Sequence, residues 1–282
     1  MREHNDKINT SKIDIPIIMT IAGSDSGAGA GIQADLKTIS ALEGYGTTVI
    51  TAITAQNTCG VSGIHPIPLS MIDQQFFALT SDFNVKAIKT GMLQGVDVIA
   101  TVAKCISESK IKNFVLDPVM IATSGDKLVF EDTVLALISK LFPLAKIITP
   151  NLYEAEILLN RKINTLDEMQ KAAFDLLKFN SFAVLLKGGH LQFDATVGEQ
   201  KIFDILVTAE KTSPIIFEND RIKTNNTHGT GCSLSAAIAT FLAKEQNLET
   251  AIKNSEDYIH KAILAGAELK LGKGNGPLWH FV

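Results

Sequence analysis

Cysteine is scarce in this chain of 282 residues. The three present, Cys59, Cys105 and Cys232, lie far apart and form no C-x-x-C pair. That spacing excludes a disulfide framework and a structural zinc site, and it fits a reducing cytoplasm. Excess charge is missing too. A net charge of −4 gives no bulk attraction to nucleic acid or to an anionic membrane, so a small-molecule partner is expected. No apolar stretch approaches the ~20 residues of a membrane-spanning helix. Residues 1–14 lack the apolar core of a signal peptide and read as a flexible N-terminal tail. The remainder, 15–282, holds no internal repeat, low-complexity tract or Pro/Ser-rich linker and reads as a single domain. The G-x-x-x-x-G-K-[ST] loop is absent, so any ATP phosphates must be held by other means. Six histidines show no metal-ligand spacing, and His190 and His228, although beside turns, receive no role.

What is present is a composition of 46% hydrophobic and 20% charged residues, ordinary for a chain with a sizeable core. Short apolar runs alternate with helical periodicity. Strands are expected at Ile15–Ala22, Thr47–Ala55, Val85–Lys89, Phe114–Leu116, Ala145–Ile148 and Ala183–Leu186, with an added pair at Lys201–Val207 and Ser213–Phe217. Helices are expected at Ile32–Leu42, Val96–Ile106, Leu152–Leu159, Leu166–Leu177, Ser233–Ala243 and Leu248–Leu271. Such alternation implies an α/β fold, a parallel sheet with helices on both faces and ligands beyond the carboxyl ends of the strands. Gly23-Ser24-Asp25, Gln56-Asn57, Gly91-Met92, Asp117-Pro118, Asn151 and Lys187-Gly188-Gly189 all follow expected strands and can line one rim.

The stretch NNTHGTGCSLSAAIATFLA from Asn225 to Ala243 is the most informative. Gly229, Thr230 and Gly231 leave backbone amides unshielded before an apolar helix, a combination that favours phosphate or a developing anion. Cys232 falls in the first turn, where the same field favours thiolate and makes it a candidate base or nucleophile. The plainer reading is a helix start capped by Thr230 with a small core cysteine. Gly29-Ala30-Gly31-Ile32-Gln33-Ala34 matches the dinucleotide pattern G-x-G-x-x-A, but the second strand ends in Gln56, not in the acid that a ribose needs. These glycines can instead admit a small ligand, with Asp35 aimed at it. Asn151 and Glu154, one helical turn apart, can hold magnesium or merely form a capping box. Lys187 can place a cation on a transferring phosphate, Asp117 can present a carboxylate, and Met92 can wall a flat ring.

Taken in order, IAGSDSGAGAGIQAD, VITAITAQNT, KTGML, LDPVM, TPNLYEAE, LLKGGH, NNTHGTGCSLSAAIA and GNGPLWHF resemble the hydroxymethylpyrimidine/phosphomethylpyrimidine kinases of thiamine biosynthesis, members of the ribokinase-like superfamily. The resemblance spans Ile17 to Phe281 and implies a three-layer α/β/α sandwich. It also implies Mg2+ and ATP as cofactors, phosphorylation of 4-amino-5-hydroxymethyl-2-methylpyrimidine and then of its monophosphate, and a homodimer. It implies that Gln56, Asp35 and Gly23 contact the pyrimidine's polar groups and that Ala30, Met92 and Val119 wall its ring. Asn151, Glu154, Lys187 and Asp117 would serve ATP and magnesium, the two acids being the metal ligands. Gly229, Thr230, Gly231 and Cys232 would form the anion hole, with Cys232 as base, where sugar kinases of the superfamily carry aspartate. Relatives that phosphorylate pyridoxal leave that acceptor as an alternative, and a dinucleotide-dependent oxidoreductase as a distant one. Ala28 stands where such kinases often have glycine.

Overall fold

The computed structural model describes residues 14–120, 131–189 and 201–282. Residues 1–13 of the expected tail, and His190, lie outside the described residues.

Chain order is β1 (Ile17–Asp25), α1 (Gly31–Ala41), β2 (Tyr45–Asn57), β3 (Gly60–Pro66), α2 (Leu69–Thr80), β4 (Val85–Thr90), α3 (Val96–Ser109), β5 (Asn113–Leu116) and α4 (Glu131–Ala136). It continues with β6 (Ile147–Ile148), α5 (Leu152–Leu159), α6 (Leu166–Leu176), β7 (Ala183–Lys187), β8 (Lys201–Thr208), β9 (Ile215–Asp220), α7 (Thr230–Ala243) and α8 (Leu248–Gly266). The nine strands make one sheet in the order β3-β2-β1-β4-β5-β6-β7-β8-β9. Its six central strands, β2 to β7 in that order, are parallel. Antiparallel strands close both sides, β3 at one and β8 with β9 at the other.

Strand residues alternate between two cores. Val184 and Leu186 of β7 join the cluster that includes α3, α5 and α6, whereas Ala183 and Leu185 join the cluster under α7 and α8. Strands apolar on both faces therefore have to be covered on both, and the result is three layers. Burying each Ile or Leu contributes about 1.5–3 kcal/mol, and that term dominates the assembly. Alternation also sets the site, because all parallel strands end on one rim. Among the described residues, no helix is long and apolar enough to cross a membrane.

Some boundaries differ from expectation. The last helix stops at Gly266, well before Leu271, where the Asn226 side-chain amide donates to the carbonyls of Gly266, Ala267 and Leu269. β9 runs on to Asp220, and β6 shrinks to two residues.

Candidate active site

A cavity of about 890 Å³ opens along the carboxyl ends of the strands, lined by side chains from β1 across to β9 and by the start of α7. One end holds Gly23, Ala30, Gln56, Met92 and Val119; the middle holds Asp117, Asn151, Glu154, Lys187 and Gly229 to Cys232. Every residue singled out above as substrate-, nucleotide- or metal-facing is on this wall except Asp35.

The start of α7 is shaped by Gly229, at φ 85°, which is the N-cap in place of Thr230. A Cβ on Gly229 would stand 1.8 Å from the Gly29 carbonyl oxygen, so the two glycine loops touch only because this position lacks a side chain. Thr230 turns its hydroxyl back to the Thr227 carbonyl at 2.8 Å. The amides of Gly231 and Cys232, in the first helical turn, have no carbonyl one turn behind them and remain donors. Beneath them, Lys187 Nζ lies 3.2 Å from Asp117 Oδ1. A Cβ on Gly231 would be 3.3 Å from that same Nζ. Burial alone would lower the Lys187 pKa, but Asp117 and Glu154 outweigh it and hold the ammonium charged.

Asn151 and Glu154 make the full capping box of α5: the Glu154 amide donates to Asn151 Oδ1 at 2.9 Å, and the Asn151 amide to Glu154 Oε2 at 2.8 Å. Capping does not remove them from the cavity. Burial pushes the Glu154 carboxyl up to about 7, with Lys187 opposing and Asp117 adding to the rise. Negative charge here is under-compensated, which is the condition a divalent cation relieves. No trio of His, Cys, Asp or Glu that could cage a metal occurs among the described residues. Two carboxylates with phosphates and water are the usual protein share of a magnesium site, so the residues fit the ion.

Two expectations are corrected. Asp35 is fully buried and does not face the cavity. Both its oxygens take Lys89 Nζ at 2.8 Å, and Thr20 donates to it as well, so the carboxylate is consumed within the core. Cys232, partly exposed on the wall, is not shifted toward thiolate. Burial, with Asp35 and Asp117 nearby, pushes its thiol up to about 11, against the Lys89 cation and the Gly31 amide that favour ionisation.

Sequence reasoning left Asp25, His228 and Lys89 without roles. Asp25 accepts from the amides of Gly27, Gly29 and Ala30 and lies 3.1 Å from His228 Nε2, so it organises the first loop. Burial would raise its pKa, but His228 and the loop amides together bring it below the ordinary value. An aspartate two residues before a glycine is a recognisable side-chain-to-backbone turn signal. His228 Nε2 also meets Gln56 Nε2 at 3.3 Å, joining both loops to the acceptor end.

The comparisons with known proteins agree with one another. A model of the family described as phosphomethylpyrimidine kinase matches residues 25–279. The hydroxymethylpyrimidine/phosphomethylpyrimidine kinase of Rhizobium meliloti is 44% identical over 94% of this chain and 97% of its own length. A crystal structure of phosphomethylpyrimidine kinase from Clostridium difficile superposes with a TM-score of 0.77 at 39% identity, covering 88% of this chain and 99% of that one. An ADP complex of Bacillus subtilis pyridoxal kinase superposes with a TM-score of 0.85 at 36% identity, covering 94% and 97%. These neighbours share the ribokinase-like three-layer fold, and they displace the dinucleotide reading of the glycine loop. The chain belongs to the phosphomethylpyrimidine kinase family.

Proposed function

We propose that this cavity is where the chain, a hydroxymethylpyrimidine/phosphomethylpyrimidine kinase of thiamine biosynthesis, moves the terminal phosphoryl group of ATP. The acceptor is first the hydroxymethyl oxygen of 4-amino-5-hydroxymethyl-2-methylpyrimidine and then the phosphate so formed. The observation that carries this reading is one cavity with an apolar slot, Ala30, Met92 and Val119, facing a helix start and Lys187.

The slot takes the flat ring, and Gln56, held by Thr54 at 3.1 Å, meets its polar edge beside Gly23. Asp35 has no direct contact in this scheme; it keeps the Lys89 cation in place under Cys232. The Gly231 and Cys232 amides receive charge on the moving phosphoryl group, together with Lys187, while Gly229 shapes the turn and Thr230, whose amide and hydroxyl both go to the Thr227 carbonyl, holds it. Fixed donors of this kind supply most of the catalysis in phosphoryl transfer. Asn151 and Glu154 face the nucleotide's phosphates. Magnesium, when bound, would neutralise those phosphates, with Glu154 and Asp117 holding it directly or through water. As the acceptor oxygen bonds to phosphorus, its proton passes to Cys232 in the thiolate form, and the bond to the leaving diphosphate breaks. At about 11 the thiol is ionised only to a fraction on the order of 10⁻⁴ at pH 7. Turnover through this base is therefore limited by the thiolate fraction, which rises with pH.

The same reading includes a cytoplasmic homodimer. Free Cys59, Cys105 and Cys232 suit a reducing compartment, and the exposed apolar residues Ile53, Val61, Ile64 and Met71 near the β3 edge suit a subunit contact. A coupled assay of ATP consumption tests the activity. Two phosphates transferred per pyrimidine ring is the expected result, and no transfer to the pyrimidine rules the assignment out. Pyridoxal as a parallel acceptor decides the second reading, for which the superposed pyridoxal kinase is the support.

A further inference from the structure

At the acceptor end of the cavity, Gln56 is half-buried and stands between Thr54 and His228, and all three line the wall. The amide of Gln56 has Oε1 at 3.1 Å from Thr54 Oγ1 and Nε2 at 3.3 Å from His228 Nε2. The protons on those two neighbours are already committed. Asp25, held below its ordinary pKa, is a carboxylate and accepts only, so the His228 Nε2 that lies 3.1 Å from its Oδ2 carries a hydrogen. The Ser24 carbonyl also accepts only, so the single Thr54 hydroxyl proton goes to it at 2.9 Å.

Oε1 at Thr54 and Nε2 at His228 therefore set oxygen against oxygen and N–H against N–H. A half-turn of the amide about its last bond exchanges the two ends and makes both contacts hydrogen bonds: Nε2 donates to Thr54 Oγ1, and Oε1 shares the His228 N–H with Asp25. The His228 ring keeps its place because it is packed on Gly29, where a Cβ would stand 2.4 Å from Cδ2. Left for a ligand are one amide N–H at the Thr54 end and one oxygen lone pair at the His228 end.

We propose that His228 and Thr54 are positioning residues that fix the direction of the Gln56 amide, so that the acceptor ring binds with N3 toward Thr54 and its 4-amino group toward His228. The inference rests on the kinase reading of the cavity. The carbon that bears the 5-hydroxymethyl group is next to the one that bears the amino group. The hydroxymethyl oxygen therefore lies on the side of His228, which immediately precedes Gly229 at the start of α7. With the amide reversed, the same ring would bind with its hydroxymethyl group on the β2 side, away from Lys187 and Gly231. Amide direction also selects the ring. A 4-oxo ring has N3–H where the amino ring has an acceptor, and an oxygen where the amino ring has a donor. Both contacts then pair like with like, which is discrimination by repulsion as well as by lost attraction.

The test compares two acceptors, the 4-amino ring and 5-hydroxymethyl-2-methylpyrimidin-4-one, each assayed with ATP in one preparation so that the active fraction cancels. The unaltered enzyme favours the amino ring in kcat/KM by roughly 10²-fold or more. Thr54→Val and His228→Leu each release one end of the amide and lower that ratio by roughly tenfold or more. The KM for ATP stays within about twofold in both. Damage to the fold alone would lower transfer to both rings together and leave the ratio as it was. Thr54→Ser keeps the hydroxyl and holds the ratio within about threefold of the unaltered value. Equal use of the two rings by the unaltered enzyme, a ratio unchanged in Thr54→Val and His228→Leu, or a loss in Thr54→Ser equal to that in Thr54→Val overturns the positioning role. Absence of transfer to either ring in the unaltered enzyme overturns the reading of the cavity along with it, so the two failures are distinguishable.

Discussion

At Cys232 two fields compete. The first turn of α7, the Gly31 amide and the Lys89 cation favour thiolate; burial together with Asp35 and Asp117 favours thiol, and burial prevails. The consequence is a pH profile. If thiolate is the base, turnover rises by about tenfold per pH unit from 7 toward 10, below the group's own value of about 11. Cys232→Ala lowers turnover and flattens that rise while ATP still binds. A flat profile in the unaltered enzyme, followed in single-turnover experiments, would take the base role away from this residue. The Lys89–Asp35 pair supplies a second prediction. Neither side chain is exposed, and removing one partner leaves an uncompensated charge in the core. Lys89→Met is expected to cost about 3–5 kcal/mol in urea unfolding, and the double change Lys89→Met with Asp35→Leu to recover most of it. Nothing local in the sequence marks this pair, whose members are 54 residues apart, and so Asp35 read as substrate-facing. Cys232 was located by its position at a helix start, but its protonation depends on three charges from other elements.

Elements with a clear period were legible. The apolar strands β4, β5 and β7 and the helices α5 and α6 fall within a residue of their expected spans, and β1 starts two residues and ends three residues later than expected. β3 was not, because it is exposed nearly throughout and has no alternation to betray it. α4 was not either, because it passes directly into a π-helical turn, Leu137–Leu141, and a 3-10 turn, Phe142–Leu144, and the changing period breaks the helical pattern. The loop from Asp25 to Gly31 is read correctly as a turn, and its organisation follows from Asp25 collecting amides. Ala28 sits there at φ 59°, a backbone that glycine suits better than alanine. Gly229 is the position at which this loop meets the α7 start. Gly229→Ala would drive a methyl into the Gly29 carbonyl, and that backbone cannot yield without moving the acceptor slot. We expect turnover to fall by roughly 10²-fold from the misplacement of acceptor and anion hole, with both KM values raised. Thermal unfolding of the variant serves as the control. Unchanged turnover would mean that the two loops act independently.

Across the whole molecule, the site was legible as a rim before any contact was known, because strand ends and polar signals coincide. The crevice follows from chain direction: β1 pairs with β2 on one side and β4 on the other, and ligands bind where the order reverses. What the sequence does not show is how the C-terminal segment closes the structure. The His228 amide donates to the Gly276 carbonyl, and the Trp279 amide to Ala262. His280 Nε2 lies 2.9 Å from Ser233 Oγ, one residue past Cys232, and the Tyr258 hydroxyl donates to the His280 carbonyl. Burial, with Lys37 adding, lowers the His280 pKa from 6.5 to about 4. The unfolded chain thus binds more protons than the folded one between those values. The contribution of His280 is present in full above pH 6.5 and is lost as pH falls toward 4, on the order of 3 kcal/mol in all. Glu154, Asp204 and Glu256 are raised acids and act with the opposite sign: the folded state binds the extra protons, so their effect grows more stabilising as pH falls. The net curve therefore mixes both signs and identifies neither. His280→Gln, which keeps a partner for Ser233 but cannot titrate, isolates the histidine. Measured by urea unfolding, the difference between the unaltered protein and this variant should shift by about 2 kcal/mol against the unaltered protein between pH 7 and pH 5. A difference that does not change with pH means that His280 is solvated in solution and that the segment does not seal α7 as the structure has it.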